Sequence, residues 1–129
     1  MPKLELMALD PCPSSPNCVS TNAPPDDRQH HMPVIPFTIP SQAVAHAIMD
    51  VIANLPRTRV VSRDTHYVRA EFRSRVFRFV DDVEFAVDPA EHVVHFRSAS
   101  RMRRPDFGIN RRRMEELSRA LHARLVPRG

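Results

Sequence analysis

The chain is expected to fold as an α+β, two-layer domain: an antiparallel meander sheet of four or five strands with two helices packed on one face, preceded by a Pro-rich extended arm. Three observations predict this. Apolar residues recur at helical spacing in two separated segments, and between those segments they alternate with polar residues. Nine of the 13 prolines fall within residues 1–40, where each removes a backbone donor and biases its predecessor away from helix. The chain is therefore divided at residue 40, into an arm over 1–40 that carries the Cys12 and Cys18 motif and an α+β domain over 41–129.

The first helix is predicted from about Ser41, a good N-cap, to Leu55. Val44, Ile48, Val51, Ile52 and Leu55 form its apolar stripe, and Pro56 ends it. Val60 and Val61 sit in a short β-branched run. Val68, Ala70 and Phe72 then alternate with Tyr67, Arg69, Glu71 and Arg73, the period of a strand with one buried face. Residues 76–79 read either as an edge strand or as a turn. A hairpin follows, with Val83, Phe85 and Val87 facing the core and Asp88-Pro89-Ala90-Glu91 turning the chain. With Pro89 and Ala90 at the turn centre, Phe85 pairs with Val94 and Val83 with Phe96, while Asp82 faces Arg97 and Glu84 faces His95. The last helix is predicted from Asn110, taken as its cap, to Leu125, with Met114, Leu117, Leu121 and Leu125 on one stripe.

Composition narrows the class. The chain has 129 residues, 42% hydrophobic and 26% charged, an ordinary mix for one folded domain and a poor one for disorder or a coiled coil. The net charge is +4, and every basic residue except Lys3 is an arginine, whose planar fork suits carboxylates and phosphates. Residues 1–40 hold two basic against four acidic residues, so the positive excess belongs to the rest of the chain. No run of 18 apolar residues occurs, so no membrane span is expected. Glu5 and Asp10 break the first apolar run, no signal peptide is visible, and a cytoplasmic location is expected by default. The closing Leu-Val-Pro-Arg-Gly resembles part of a protease-cleavable tag, so residues 126–129 carry no functional argument.

Four motifs in order resemble one family. Cys-Pro-Ser-Ser-Pro-Asn-Cys-Val-Ser (residues 12–20) is similar to the opening motif of the domain of unknown function 1499 family. Asp-Asp-Val-Glu-Phe (81–85), Arg-Ser-Ala-Ser-Arg (97–101) and Asp-Phe-Gly-Ile-Asn-Arg-Arg-Arg (106–113) resemble its second half. The resemblance implies no activity. It implies relatives that are often exported or membrane-anchored, and Arg103 stands where the family pattern leads us to expect a glycine, so the loop before Asp106 is expected to differ in shape.

The candidate ligand-binding cluster is Asp82, Glu84, Arg97, Ser98, Ser100, Arg101, Asp106, Asn110 and Arg111. Its members come from the hairpin, the loop leaving it and the start of the final helix, where N–H groups favour an anion. Arg97, Arg101 and Arg111 are expected to clamp a small carboxylate or phosphate, held by the nearby acids. The plain alternative is that the same residues are ion pairs that hold the fold. An acid/base enzyme, hydrolase-like, is the second reading, through Asp82, Glu84 and a His95 oriented by Glu84. Nucleic-acid binding through the segment from Arg101 to Arg113, which includes Arg103, Arg104, Arg112 and Arg113, is the third. It is weakened by 6% aromatic residues and no tryptophan.

No cofactor is expected, because with two glycines in the chain a glycine-built phosphate loop is implausible. Cys12 and Cys18 are too far apart in sequence for C-x-x-C redox chemistry and close enough for a disulfide. Free thiols remain open, and zinc held with His30 and His31 is disfavoured by a spacing that fits no standard finger.

Overall fold

A computed structural model describes residues 9–102 and 105–128. Eight elements follow in order: β1 (Cys18–Ser20), β2 (Ile35–Pro36), α1 (Ser41–Ala53), β3 (Thr58–Asp64), β4 (Tyr67–Arg73), β5 (Val80–Asp88), β6 (Val93–Ser100) and α2 (Ile109–Leu125). The sheet runs β1-β6-β5-β4-β3, with β2 also on β6, and every strand pairing is antiparallel. Both helices cover one face, giving the α+β two-layer domain that periodicity predicts. The sheet has six strands, one more than the upper expectation, because the proline-rich segment contributes two.

That segment is built into the sheet. β1 pairs Cys18 with Ala99, β2 pairs Ile35 with Val94, and Val19, Met32, Ile35 and Phe37 join the core. The change of composition at residue 40 therefore does not coincide with an edge of the sheet. Prolines limit these strands to two or three residues, which suits short pieces docked on an edge.

The predicted stripes are the buried ones. Val44, Ile48 and Ile52 from α1 meet Met114, Leu117, Leu121 and Leu125 from α2 over Val68, Val83, Phe85, Val87, Val94 and Phe96. Pro40, rather than Ser41, holds the N-cap position of α1. At its other end the Thr58 hydroxyl donates to the carbonyls of Ile52 and Leu55, both at 3.1 Å.

The hairpin register differs from expectation by two positions. Phe85 faces Phe96, Val83 faces Ser98, Glu84 faces Arg97 and Asp82 faces Ala99. The cause is a four-residue loop, 89–92, closed by the Asp88–Val93 pair. Asp88 accepts from the N–H groups of Ala90 (3.0 Å) and Glu91 (3.1 Å), and His92 takes a left-handed backbone (φ 56°). A shift of two keeps each side chain on its predicted face and changes only its partner. Residues 74–79 form a loop in which the Phe79 and Ser74 backbones bond at 2.9 Å.

Candidate functional site

The sheet separates the expected cluster into two groups. Asp82, Glu84, Arg97 and Arg101 lie toward the face away from the helices, where a ladder of ion pairs runs across β3, β4 and β5. Arg101 donates to Asp82 through Nε (2.8 Å) and Nη2 (2.9 Å) and to Glu71 through Nη2 (2.7 Å). Arg69 also reaches Asp82 at 3.1 Å, and Arg59 reaches Glu71 at 3.4 Å. Hydrogen bonds from Arg101, aided by the other guanidinium charges, hold the Glu71 and Asp82 carboxyls below their usual range. Glu84 accepts the Tyr67 hydroxyl at 2.5 Å. The Tyr67 phenol is pushed upward by burial and by that carboxylate.

His95 pairs with Ala86 across the strands, and its Nδ1 lies 2.9 Å from the Thr21 hydroxyl, so the expected alignment by Glu84 is replaced. Burial lowers its pKa and favours the neutral ring. Arg97 donates to the Pro11 carbonyl at 3.4 Å. Arg111 reaches the carbonyls of Arg28, Gln29 and His31 at 3.1, 3.0 and 3.3 Å, tying α2 to the proline-rich segment rather than to Asp106. Arg97, Arg101 and Arg111 thus do not converge.

Ser98, Ser100, Asp106 and Asn110 do converge, under the start of α2. Asn110 is buried inside the first turn, not at the cap. Its Oδ1 accepts from Ser98 (2.6 Å), and its Nδ2 donates to Asp106 (2.7 Å), to Ser100 (3.0 Å) and to the Asn17 carbonyl (3.3 Å). Gly108 holds the cap position in a left-handed conformation (φ 80°) that glycine adopts without penalty. Asp106 accepts from the N–H groups of Gly108 (2.9 Å) and Asn110 (3.1 Å), so the chain's own carboxylate faces these amides. Burial opposes its ionisation, but the Asn110 side chain and those amides outweigh burial and lower the pKa.

Beside this network two hollows open at one end of the sheet. One, of 340 Å³, lies between the β4–β5 and β6–α2 connections, with Arg57, Arg73, Arg75, Phe79, Ser100 and Asp106 on its wall. The other, of 440 Å³, runs under the helices along Val51, Leu55, Phe72, Leu117 and Ala120. Arg57, Arg73 and Arg113 border both. Arg113 is fixed between Asp81 at 2.8 Å, the Asn110 side-chain oxygen Oδ1, which accepts from its Nη1 at 3.0 Å, and the Phe72 ring, 5.0 Å from its centroid. Arg57 and Arg75 are exposed residues of the cleft wall without a carboxylate partner among the described residues. The arrangement can seat an anionic group at the arginines and an apolar tail between the helices.

The sequence places none of Arg57, Arg73, Arg75 and Asp81 in a candidate site, and it places Arg113 only in the nucleic-acid-binding segment. One signal was present, since Asp81 falls in phase with Val83, Phe85 and Val87, and an acid on a core face requires a buried partner. Arg103 and Arg104 lie outside the described residues, as do residues 1–8 and Gly129. Cys12 and Cys18 are joined, with Cα atoms 5.7 Å apart. His30 and His31 face Asp27, Ser15 and Ala23, and no metal-holding group of three or more His, Cys, Asp or Glu residues occurs among the described residues. No helix there is long and apolar enough to cross a membrane.

These features define a small α+β protein with a disulfide-tethered edge strand and an arginine-bordered cleft. The chain belongs to the family described as Protein of unknown function (DUF1499), whose model matches residues 8–121. No curated protein and no solved structure matches it significantly.

Proposed function

We propose that the protein is a non-enzymatic binding module that takes a small amphiphilic anion, a carboxylate or phosphate bearing an apolar chain, in the cleft at the end of the sheet. The supporting observation is the pairing of Arg57 and Arg75, which have no carboxylate partner among the described residues, with an adjoining apolar hollow that shares the Arg57, Arg73 and Arg113 border. Ser100 and Asp106 of the expected ligand set line this cleft. Asp82, Glu84, Arg97 and Arg101 are engaged on the other face, which favours a supporting role there over acid/base work. The disulfide fits a non-reducing compartment better than the cytoplasm expected by default.

Thermal unfolding with hexyl phosphate, hexanoate and hexylamine tests this reading. A ligand at about one hundred times its Kd stabilises by ~2.7 kcal/mol, which raises Tm by several degrees. The two anions are expected to raise Tm and the amine to leave it unchanged, and Arg57→Gln with Arg75→Gln should abolish the effect. Equal response to all three, or to none, rejects the proposal.

A further inference from the structure

The exposed apolar side chains gather at the mouth of the same cleft. Among the described residues six large apolar side chains are exposed. Five of them, Val76, Phe77, Met102, Phe107 and Ile109, belong to the two connections bordering the opening or to the first helical residue beyond. Phe77 is 71% exposed and Phe107 85% exposed. The Phe77 ring stacks on Phe79, 5.4 Å between centroids, and Phe79 and Phe107 both line the cleft, so both loops border one opening.

The backbone is held in an unfavourable conformation to present these groups. Phe107 (φ 53°), Arg78 (φ 60°) and Arg57 (φ 56°) adopt left-handed conformations, one in each of the three connections at this end. Non-glycine residues rarely do so, and such positions concentrate where function requires them. The Arg112 guanidinium secures Phe107 from behind, donating to its carbonyl at 3.0 Å.

The rim is cationic. Arg57, Arg75, Arg78 and Arg112 are exposed there and Arg73 is shared with Glu71 at 3.5 Å, whereas Asp81 faces Arg113, Asp106 faces the first amides of α2, and Glu116 lies on the wall of the adjoining hollow. Apolar tips on short loops, encircled by guanidinium groups, complement a bilayer surface. The rings enter the boundary between head groups and acyl chains while the arginines stay level with phosphate.

We infer that this end of the molecule docks on membranes containing anionic lipid, and that the lipid phosphate is the anion of the cleft. The inference rests on the anion-binding reading above. Flotation with phosphatidylcholine vesicles, and with vesicles also containing phosphatidylglycerol, tests it. The protein is expected to float only with the anionic vesicles, less as salt is raised. Val76→Ser with Phe77→Ser, both outside the cleft wall, should weaken vesicle binding by at least about tenfold, while retaining the wild-type Tm and the stabilisation by hexyl phosphate.

Absence of flotation with an intact hexyl phosphate response overturns the docking and leaves the anion site standing. Flotation unchanged by Arg57→Gln with Arg75→Gln overturns the assignment of lipid phosphate to the cleft. A dimer that Phe77→Ser dissociates, without vesicle binding, overturns the membrane as occupant of the patch.

Discussion

Both ring nitrogens of His30 face acceptors. Nδ1 lies 2.7 Å from an Asp27 carboxylate oxygen and Nε2 lies 2.8 Å from the Ser15 carbonyl, an arrangement satisfied fully only by the imidazolium. Burial works against that charge, but the Ser15 carbonyl and Asp27 outweigh it and raise the pKa. The stabilisation from His30 is therefore complete below the unfolded-state value near 6.5 and is lost as pH rises through the higher folded value. NMR titration should place His30 above 6.5 and the desolvated His95 below it. The reverse order contradicts the assignment. Asp106 titrates with the opposite sign. Its lowered pKa contributes stability above the unfolded value of about 3.8, lost as pH falls through the folded one. Asp106→Ala should cost about 1 to 2 kcal/mol in denaturant unfolding, through the loss of the cap and of the acceptor for the buried Asn110 amide.

At the scale of elements, β1 depends on a covalent tether as well as on its ladder with β6. The Cys12–Cys18 bridge closes a short loop, and Asn17 within it accepts the Ser100 N–H at 3.0 Å and donates its side-chain amide to the Met102 carbonyl. Cys12→Ser should destabilise the protein by roughly 2 kcal/mol, and a reducing agent should lower the wild-type Tm while leaving that of the variant unchanged. Elements with strong periodicity were legible from sequence. Val68, Ala70 and Phe72, or Met114, Leu117 and Leu121, identify their buried faces directly. The two strands before α1 were not, because prolines cut them to lengths too short for any alternation to register. The hairpin partners were not either, since the alternation fixes a face but leaves the loop length, and hence the register, free to move by two. The same limit divided the candidate site. A polar residue on a strand can be assigned a face only when its neighbours are, and Ser98 and Ser100 belong with Val94 and Phe96 on the helix side, whereas Arg97 does not.

Across the whole molecule, one face and one end have different chemistry. The face away from the helices is a ladder in which Arg101 joins Asp82 and Glu71, and its charges largely satisfy one another. The end formed by the three connections into β3, β5 and α2 carries exposed guanidinium groups, exposed aromatic rings and left-handed backbone beside an apolar hollow. A ligand that combines negative charge with an apolar chain would satisfy both parts of that end. The decisive measurement is amide chemical-shift mapping during titration with hexyl phosphate. The account predicts saturable changes at Arg57, Ser74, Arg75, Asp106 and Leu117, with Glu84 and His95 unmoved. Changes confined to the charged ladder around Glu84, Arg97 and Arg101, or no saturable change anywhere, would contradict it.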